Sequence, residues 1–271
     1  MSDQERLAGY IEVWWEAIND FTRLLERLTP EQWAAPTDLP GWDVRAVASH
    51  VAHLEGILAG GPEEAAEVGE PPHVTGFMGL YTEIGVVNRR ETGPDAIINE
   101  IRESATSRHT ALLADPPTDG SAKPEVIFGG VPWDWETLLR NRPLDVWMHE
   151  QDVRRAVDRP GGLDTAPAKH TADYLAEALG FVLAKKVGAE PGTTLVLEMA
   201  GSDPFGFIVN DARRGERLAE PPADPTVRLR MDRETFVVLA GGRRPARPDA
   251  VTVEGDLALG QRVVDAMATT P

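Results

Sequence analysis

The spacing of apolar residues changes once along this 271-residue chain, close to residue 160, and that change limits the folds open to it. Before the change, apolar residues recur every three or four positions, the spacing that places them on one face of an α-helix. Pro143 is expected to kink or restart the helix that contains it, because proline lacks the backbone N–H that a helix needs. The pattern predicts helices at residues 7–28, 43–60, 92–114 and 135–157, with loops at 62–75 and 115–132.

Two helix starts are marked by side chains suited to capping. Thr29 precedes Pro30 and stands three residues before Gln32, the spacing of a capping box with proline in the first helical turn. Asp43 directly precedes the second long apolar pattern, where an aspartate side chain accepts a hydrogen bond from the first turn. A short helix after Thr29 and a long helix after Asp43 are therefore predicted.

After residue 162 the pattern becomes that of a mixed α+β region. One further helix fits 166–187, and beyond Pro191 short apolar runs alternate with Gly- and Pro-rich turns, which is typical of strands. Strands are predicted at 193–199, 205–209, 226–231 and 250–253, and short helices at 232–240 and 256–268. The sequence thus predicts a helical bundle over 1–162 and a smaller α+β domain over 163–271.

Charge and cysteine content exclude several kinds of function. The chain has 27 Lys and Arg against 44 Asp and Glu, a net charge of −17, which repels nucleic-acid backbones and anionic membranes. It has no cysteine, so disulfides, a thiolate nucleophile of its own and Cys-ligated zinc are all excluded. The first residues lack the apolar core of a signal peptide, and a cytoplasmic protein is expected.

A polar stripe runs along the helix predicted at 135–157. Asp145, His149, Asp152 and Ala156 stand at i, i+4, i+7 and i+11, which places them on one face among valines. On the helix after Asp43, His50 has apolar neighbours at i−3, i+4 and i+7 and points toward the bundle interior. His53 lies further round that helix and is predicted to be more exposed.

Two interpretations of these residues remain open from spacing alone. In the first, Asp145 and His149 form an exposed i,i+4 pair and His50 is a hydrogen-bonded core histidine. In the second, His50, Asp145 and His149 hold a divalent metal, since burying a carboxylate and an imidazole among valines costs free energy unless something pairs with them. Three N/O ligands leave coordination positions open, which is the catalytic rather than the structural pattern for zinc.

Both segments resemble those of a known family. PGWDVRAVASHVAHL, from Pro40, and DVWMHEQDVRRA, from Asp145, are similar to the mycothiol-dependent maleylpyruvate isomerase family, which belongs to the DinB-like metal-binding four-helix bundles. The tail VTVEGDLALGQRVVDAM, at 251–267, resembles the sterol-carrier-like domain that many members carry. The resemblance implies a DinB-like four-helix bundle with a divalent metal, usually zinc, followed by a sterol-carrier-like α+β domain.

The resemblance also implies roles for individual residues of the bundle. His50 matches the family's ligand on the earlier helix, and His149 matches the ligand on the later one. Asp145 stands where the family has a carboxylate, often the longer glutamate. Asp152 matches the aspartate of the family's H-x-x-D pattern and is expected to serve catalysis, either by fixing an imidazole or as a base near bound water.

The family's isomerase binds its dicarboxylate substrate with an arginine. Arg89 and Arg90, between the two ligand helices, are the candidates for substrate binding, and Arg243 and Arg244 are alternatives in the second domain. The default interpretation of each of these arginines is a solvated surface charge.

The implied chemistry is that of a thiol cofactor, mycothiol, which would supply the sulfur that this cysteine-free chain lacks. A bound cation lowers the pKa of a coordinated thiol, and the thiolate can attack an electrophilic small molecule in an isomerase or a transferase. Two alternatives remain: a metal-dependent hydrolase on the same bundle, and a non-enzymatic protein whose second domain binds an apolar ligand.

Overall fold

The computed structural model describes residues 2–270, which divide into two compact units. The unit up to Gly162 is called the helical unit here, and the unit from Leu163 is called the sheet unit. The six helices described in the first are α1 (Asp3–Leu25), α2 (Pro30–Trp33), α3 (Val44–Leu58), α4 (Gly76–Asn88), α5 (Pro94–Ala114) and α6 (Trp135–Ala156). The predicted fold class, a helical bundle followed by an α+β region, is confirmed.

Side-chain caps begin several of these helices as their sequences predict. Thr29 and Gln32 form a reciprocal capping box at α2, with Pro30 in its first turn. The Asp43 carboxylate accepts a hydrogen bond from the Ala46 amide at the start of α3. These bonds satisfy amides that the helix itself leaves without a partner.

The four longest helices of the helical unit, α1, α3, α5 and α6, form a bundle and enclose its core. α1 packs against α5 and α6, and α3 packs against α4, α5 and α6. The core between them holds three fully buried tryptophans, Trp14, Trp33 and Trp147. α3 and α6, which carry the candidate ligands, are therefore held face to face by burial of large apolar side chains.

The structure corrects three predictions about the helical unit. Helix α4 was not expected, because its three glycines interrupt the helical pattern. One of them, Gly85, lets α4 approach α3 closely, since a Cβ there would lie 2.3 Å from Cβ of His53. The helical spacing over 92–114 predicts that Ala96 and Ala111 face inward with Ile97 and Ile101, but both alanines are exposed. Pro143 lies inside a continuous α6 and does not restart it, because packing along this buried stretch compensates for the one missing hydrogen bond.

The sheet unit begins with helices and continues into a five-stranded sheet. Its strands are β1 (Thr194–Met199), β2 (Phe205–Val209), β3 (Gly215–Leu218), β4 (Val227–Met231) and β5 (Thr252–Gly255). Strand β1 pairs in parallel with β4, and the other neighbours are antiparallel, in the order β3-β2-β1-β4-β5. Its helices are α7 (Ala166–Glu177), α8 (Leu179–Phe181), α9 (Arg233–Ala240) and α10 (Leu257–Asp265), and a π-helical turn, Val182–Lys186, follows α8.

The sheet buries one face against helices. Along β4 the alternate residues Val227, Leu229 and Met231 are buried, and α10 packs against β4 and β5. Strand β3 was not predicted, because the sequence GERL lacks an alternating apolar pattern and pairs only at the sheet edge. Over residues 2–270, every helix is too short or too polar to cross a lipid bilayer.

Candidate metal centre

The structure brings together the three residues predicted to bind a metal. His50 comes from the middle of α3, and Asp145 and His149 stand one turn apart on the facing side of α6. One ligand atom from each of the three residues can be chosen so that all lie within 4.8 Å of one another. The spacing of four residues on α6 brings Asp145 and His149 together, and the packing of α3 against α6 adds His50 to them.

The distances within the cluster place the carboxylate between the two imidazoles. Nε2 of His50 lies 3.4 Å from Oδ2 of Asp145, and Nε2 of His149 lies 3.6 Å from Oδ1. The imidazole rings meet edge to face, with their centroids 4.8 Å apart. Both histidines are buried, whereas the Asp145 side chain is 21% exposed, so the cluster opens toward solvent on the Asp145 side.

His50 is neutral and has a ring nitrogen available to bind a metal. Burial lowers its pKa to about 4, although Asp145 nearby acts in the opposite direction, so the ring is neutral at pH 7. Neither of its ring nitrogens makes a well-aligned hydrogen bond with any residue in the described range 2–270. A buried imidazole without a well-aligned hydrogen bond costs free energy, and a cation would bind its free nitrogen, so the residues present fit a divalent metal.

His149 is oriented from behind by Asp152. Its Nδ1 lies 3.2 Å from Oδ2 of the fully buried Asp152, which leaves Nε2 directed toward Asp145. The other Asp152 oxygen accepts from Arg155, whose Nε donates to Asp38 at 2.7 Å. Of the two roles expected for Asp152, this geometry favours fixing the imidazole, because both carboxylate oxygens already accept hydrogen bonds.

Asp145 is held by a buried arginine. Nη1 of Arg142 donates to Oδ2 of Asp145 at 3.0 Å, and the rest of that guanidinium binds Glu55 on α3. Burial alone would raise the pKa of Asp145, but the positive charge of Arg142 and the interactions with His50 and His149 together outweigh burial and hold that pKa well below its usual range. Asp145 is therefore ionised at neutral pH, as a metal ligand must be.

Trp42 forms a wall beside both histidines. Its ring centroid lies 5.1 Å from that of His50 and 6.1 Å from that of His149. Its Nε1 donates to Oε2 of Glu83 on α4 at 2.8 Å, and the same oxygen lies 3.3 Å from Nε2 of His73. The unpredicted helix α4 thus positions a side chain at the edge of the site.

His53 lies outside the cluster, and the prediction that it is exposed was wrong. It is fully buried, with Nδ1 3.2 Å from Oε1 of Glu64 and its ring centroid 5.2 Å from that of Tyr81. The reason is that α4 and the loop at 62–75 cover this side of α3, which an isolated helix pattern cannot show.

The two candidate substrate arginines occupy different surroundings. Arg89 is buried and donates to Glu64 and Glu100 and to the Gly85 carbonyl, so carboxylates of the protein already occupy its guanidinium. Arg90 is exposed at the end of α4. A role in substrate binding stays a prediction for both.

Arg142, Glu55, Trp42 and Glu83 are the site residues that sequence reasoning missed. A signal existed for two of them. Glu55 is a charged residue on the buried stripe of α3, and Arg142 stands one turn before Asp145 on the same face of α6. Nothing in the sequence links Trp42 with Glu83, since 41 residues separate them.

Comparison with known proteins agrees with this architecture. The family model described as "Mycothiol maleylpyruvate isomerase N-terminal domain" matches residues 14–154, and the "MDMPI C-terminal domain" model matches residues 169–262. No curated protein sequence matches the chain significantly.

Two crystal structures share the fold. The mycothiol-dependent maleylpyruvate isomerase is 19% identical, with a TM-score of 0.53, over 94% of this chain and 96% of that one. A histidine-to-alanine mutant of the isomerase gives 18% identity and a TM-score of 0.51 over the same shares. Because the two family models together span most of residues 14–262, the chain belongs to the mycothiol-dependent maleylpyruvate isomerase family.

Proposed function

We propose that this protein is an enzyme that requires a divalent metal and mycothiol and acts on an electrophilic small molecule, as an isomerase or a thiol transferase. The observation that carries the proposal is the cluster of His50, Asp145 and His149, in which the neutral His50 makes no well-aligned hydrogen bond within residues 2–270. When bound, a divalent cation supplies Lewis acidity and lowers the pKa of a thiol coordinated to it.

In this proposal the three clustered side chains hold the cation, and zinc suits two imidazoles and a carboxylate. Three protein ligands leave at least one coordination position open. The exposed side of Asp145 is the side from which a thiol and a substrate would enter, because both histidines are buried.

Neighbouring side chains maintain this arrangement. Oδ2 of Asp152 accepts a hydrogen bond from Nδ1 of His149 and so keeps Nε2 available as the ligand nitrogen. Trp42, held by Glu83, covers one side of the imidazoles and limits the access of water. Exclusion of water strengthens the electrostatic interactions inside a site.

The absence of cysteine from the sequence supports a thiol supplied from outside. None of the 271 residues is cysteine, so any thiol chemistry requires a cofactor, and the family description names mycothiol. The substrate is proposed to carry an activated double bond or a leaving group, since these are the groups that a thiolate attacks.

The first test is metal content. Untagged protein, reconstituted with zinc at neutral pH, is expected to hold about one ion per chain, and both His50→Ala and His149→Ala should lose it. The matched control is His53→Ala, which removes a buried histidine from the same helix but outside the cluster and should keep the ion. A wild-type protein without metal after reconstitution would overturn the proposal.

The second test is thiol dependence. Turnover of maleylpyruvate, or of another activated cis-alkene, is measured with and without mycothiol. The proposal expects turnover that needs the thiol and disappears in His149→Ala. Turnover without the thiol that yields a hydrolysis product and is lost on chelation would identify a hydrolase instead. Ligand binding that is indifferent to chelation, without turnover, would identify a binding protein.

A further inference from the structure

Arg142 is a buried cation placed directly behind a candidate metal ligand. It has no solvent exposure, and its Nη1 donates to Oδ2 of Asp145 at 3.0 Å. Its Nε and Nη2 both donate to Oε1 of Glu55, at 3.0 and 2.7 Å. The guanidinium therefore joins the ligand carboxylate on α6 to a second carboxylate on α3.

Glu55 is itself held from the other two helices of the bundle. Nε1 of Trp14, on α1, donates to Oε1 of Glu55 at 3.2 Å, and Nη1 of Arg108, on α5, donates to Oε2 at 3.2 Å. The guanidinium of Arg108 also lies over the Trp14 ring, 4.7 Å from its centroid. Side chains from all four bundle helices thus meet at Glu55. Arg142 connects this meeting point to Asp145 by hydrogen bonds.

This arrangement has two opposing effects on a cation at the site. The charge of Arg142 repels a divalent ion, and the charge of Glu55 offsets part of that repulsion. The hydrogen bond to Asp145 fixes the carboxylate before the ion arrives, so that less side-chain entropy is lost on binding. Partners placed behind the ligands of a metal commonly change its affinity by about 10–100-fold.

We infer that Arg142, held by Glu55, is a positioning residue that strengthens metal binding by orienting Asp145, despite its own positive charge. The inference rests on the proposed function, since it assumes a metal at His50, Asp145 and His149. It makes a prediction with a definite sign, because simple charge repulsion would require that removing Arg142 tightens metal binding.

The test is the dissociation constant for Zn²⁺ of Arg142→Met, measured by competition with a chromophoric chelator. We expect binding at least about 10-fold weaker than in the wild type. The ligand-field absorption of bound Co²⁺ is expected to change as well, because Asp145 coordinates differently when it is no longer held. The matched control is Arg154→Met, the same change on the same helix at an arginine that holds the buried Glu150, at 2.7 Å. It should bind Zn²⁺ as the wild type does.

Removing Arg142 alone leaves Glu55 with less compensation, so folding is checked by circular dichroism before each titration. The double variant Glu55→Gln/Arg142→Met removes both charges together and is expected to show the same weakening. If both variants fail to fold while Arg154→Met folds, Arg142 serves the fold and the inference is overturned.

Asp145→Asn in the same titrations separates this inference from the proposed function. If the wild type binds no metal, or Asp145→Asn binds as the wild type does, the proposed site fails. If Asp145→Asn weakens binding but Arg142→Met binds equally or more tightly, only the positioning role of Arg142 is overturned. Weakening in both, with Arg154→Met unchanged, supports the inference.

Discussion

Glu55 in the helical unit and Glu198 in the sheet unit each accept hydrogen bonds from two arginines, but they lie in opposite surroundings. Glu55, with Arg108 and Arg142, is almost completely removed from solvent. Glu198 on β1 is 29% exposed and binds Arg228 and Arg230 on the neighbouring strand β4. The same arrangement of charges is thus built once in a core and once on a surface.

The two clusters differ in their energetic cost and in the residues to which they connect. Taking an ion pair out of water costs several kcal/mol per ion, whereas an exposed pair contributes about 0–1 kcal/mol. The surface cluster around Glu198 also includes Glu254 of β5 and joins adjacent strands. The buried cluster around Glu55 leads to Asp145, the candidate ligand. The bundle accepts this energetic cost next to Asp145, where the proposed cation site would need a carboxylate held rigidly in place.

The largest expected effect comes from breaking the buried cluster. Glu55→Gln leaves the buried Arg108 without its carboxylate partner and leaves Arg142 with Asp145 alone, and we expect a loss of about 3–5 kcal/mol in the free energy of unfolding. Urea denaturation followed by tryptophan fluorescence reports the unfolding of the helical unit, because all seven tryptophans lie before residue 148. A loss below about 1 kcal/mol would mean that the buried and exposed clusters are energetically alike.

A second buried carboxylate, Glu150, tests the cost of burying charge through the pH dependence of stability. Burial raises the pKa of Glu150 to about 7, against the influence of its single partner Arg154. Between pH 4.5 and 7 the folded protein keeps a proton that the unfolded chain has lost, so stability falls as pH rises through this window. Glu150→Gln removes the titration and should be more stable than the wild type at pH 8 by about 3 kcal/mol.

The measurement is the urea midpoint of both proteins from pH 4 to pH 8, again by tryptophan fluorescence. The difference between Glu150→Gln and the wild type should shrink toward pH 4, where the carboxyl is protonated in both the folded and the unfolded state. A difference that stays constant over this range would show that Glu150 does not titrate there.

A smaller effect is expected behind His149. Asp152→Asn keeps the shape of the side chain but removes the charge that orients the imidazole, and Zn²⁺ affinity should fall about 10–100-fold. Asp38→Asn, one step further away through Arg155, should change the same dissociation constant less. Equal effects of the two substitutions would contradict a direct role for Asp152 on the imidazole.

The smallest effect is expected on the exposed face of the sheet. Glu198, like Glu55, is paired with two arginines, so Glu198→Gln is the matching substitution on the surface. It should lower the free energy of unfolding by less than about 1 kcal/mol. The loss should shrink further in 1 M salt, because exposed charges are screened. Circular dichroism of the strands is the appropriate signal, since the sheet unit has no tryptophan. A loss as large as that of Glu55→Gln would remove the contrast between the two clusters.

Much of the candidate site could be predicted from local pattern. Asp145 and His149 share a face because they stand four residues apart on a helix, and the Thr29 and Asp43 caps follow from the first helical turns. His50 was placed toward the interior by the apolar residues around it. These predictions succeeded because they depend on interactions within about one or two helical turns.

The sequence by itself determined the two kinds of region, most helices and strands, and the three side chains that meet in the cluster. The tertiary structure decided which partners surround them: Arg142 with Glu55, 87 residues apart, Trp42 with Glu83, and the burial of His53 under α4. The physical reason is that hydrophobic period and capping act over a few residues. Which charges meet in a core depends instead on how separate helices pack. The hydrophobic effect that drives this packing is non-directional, so the pairs of residues that meet are set only when the whole bundle is assembled.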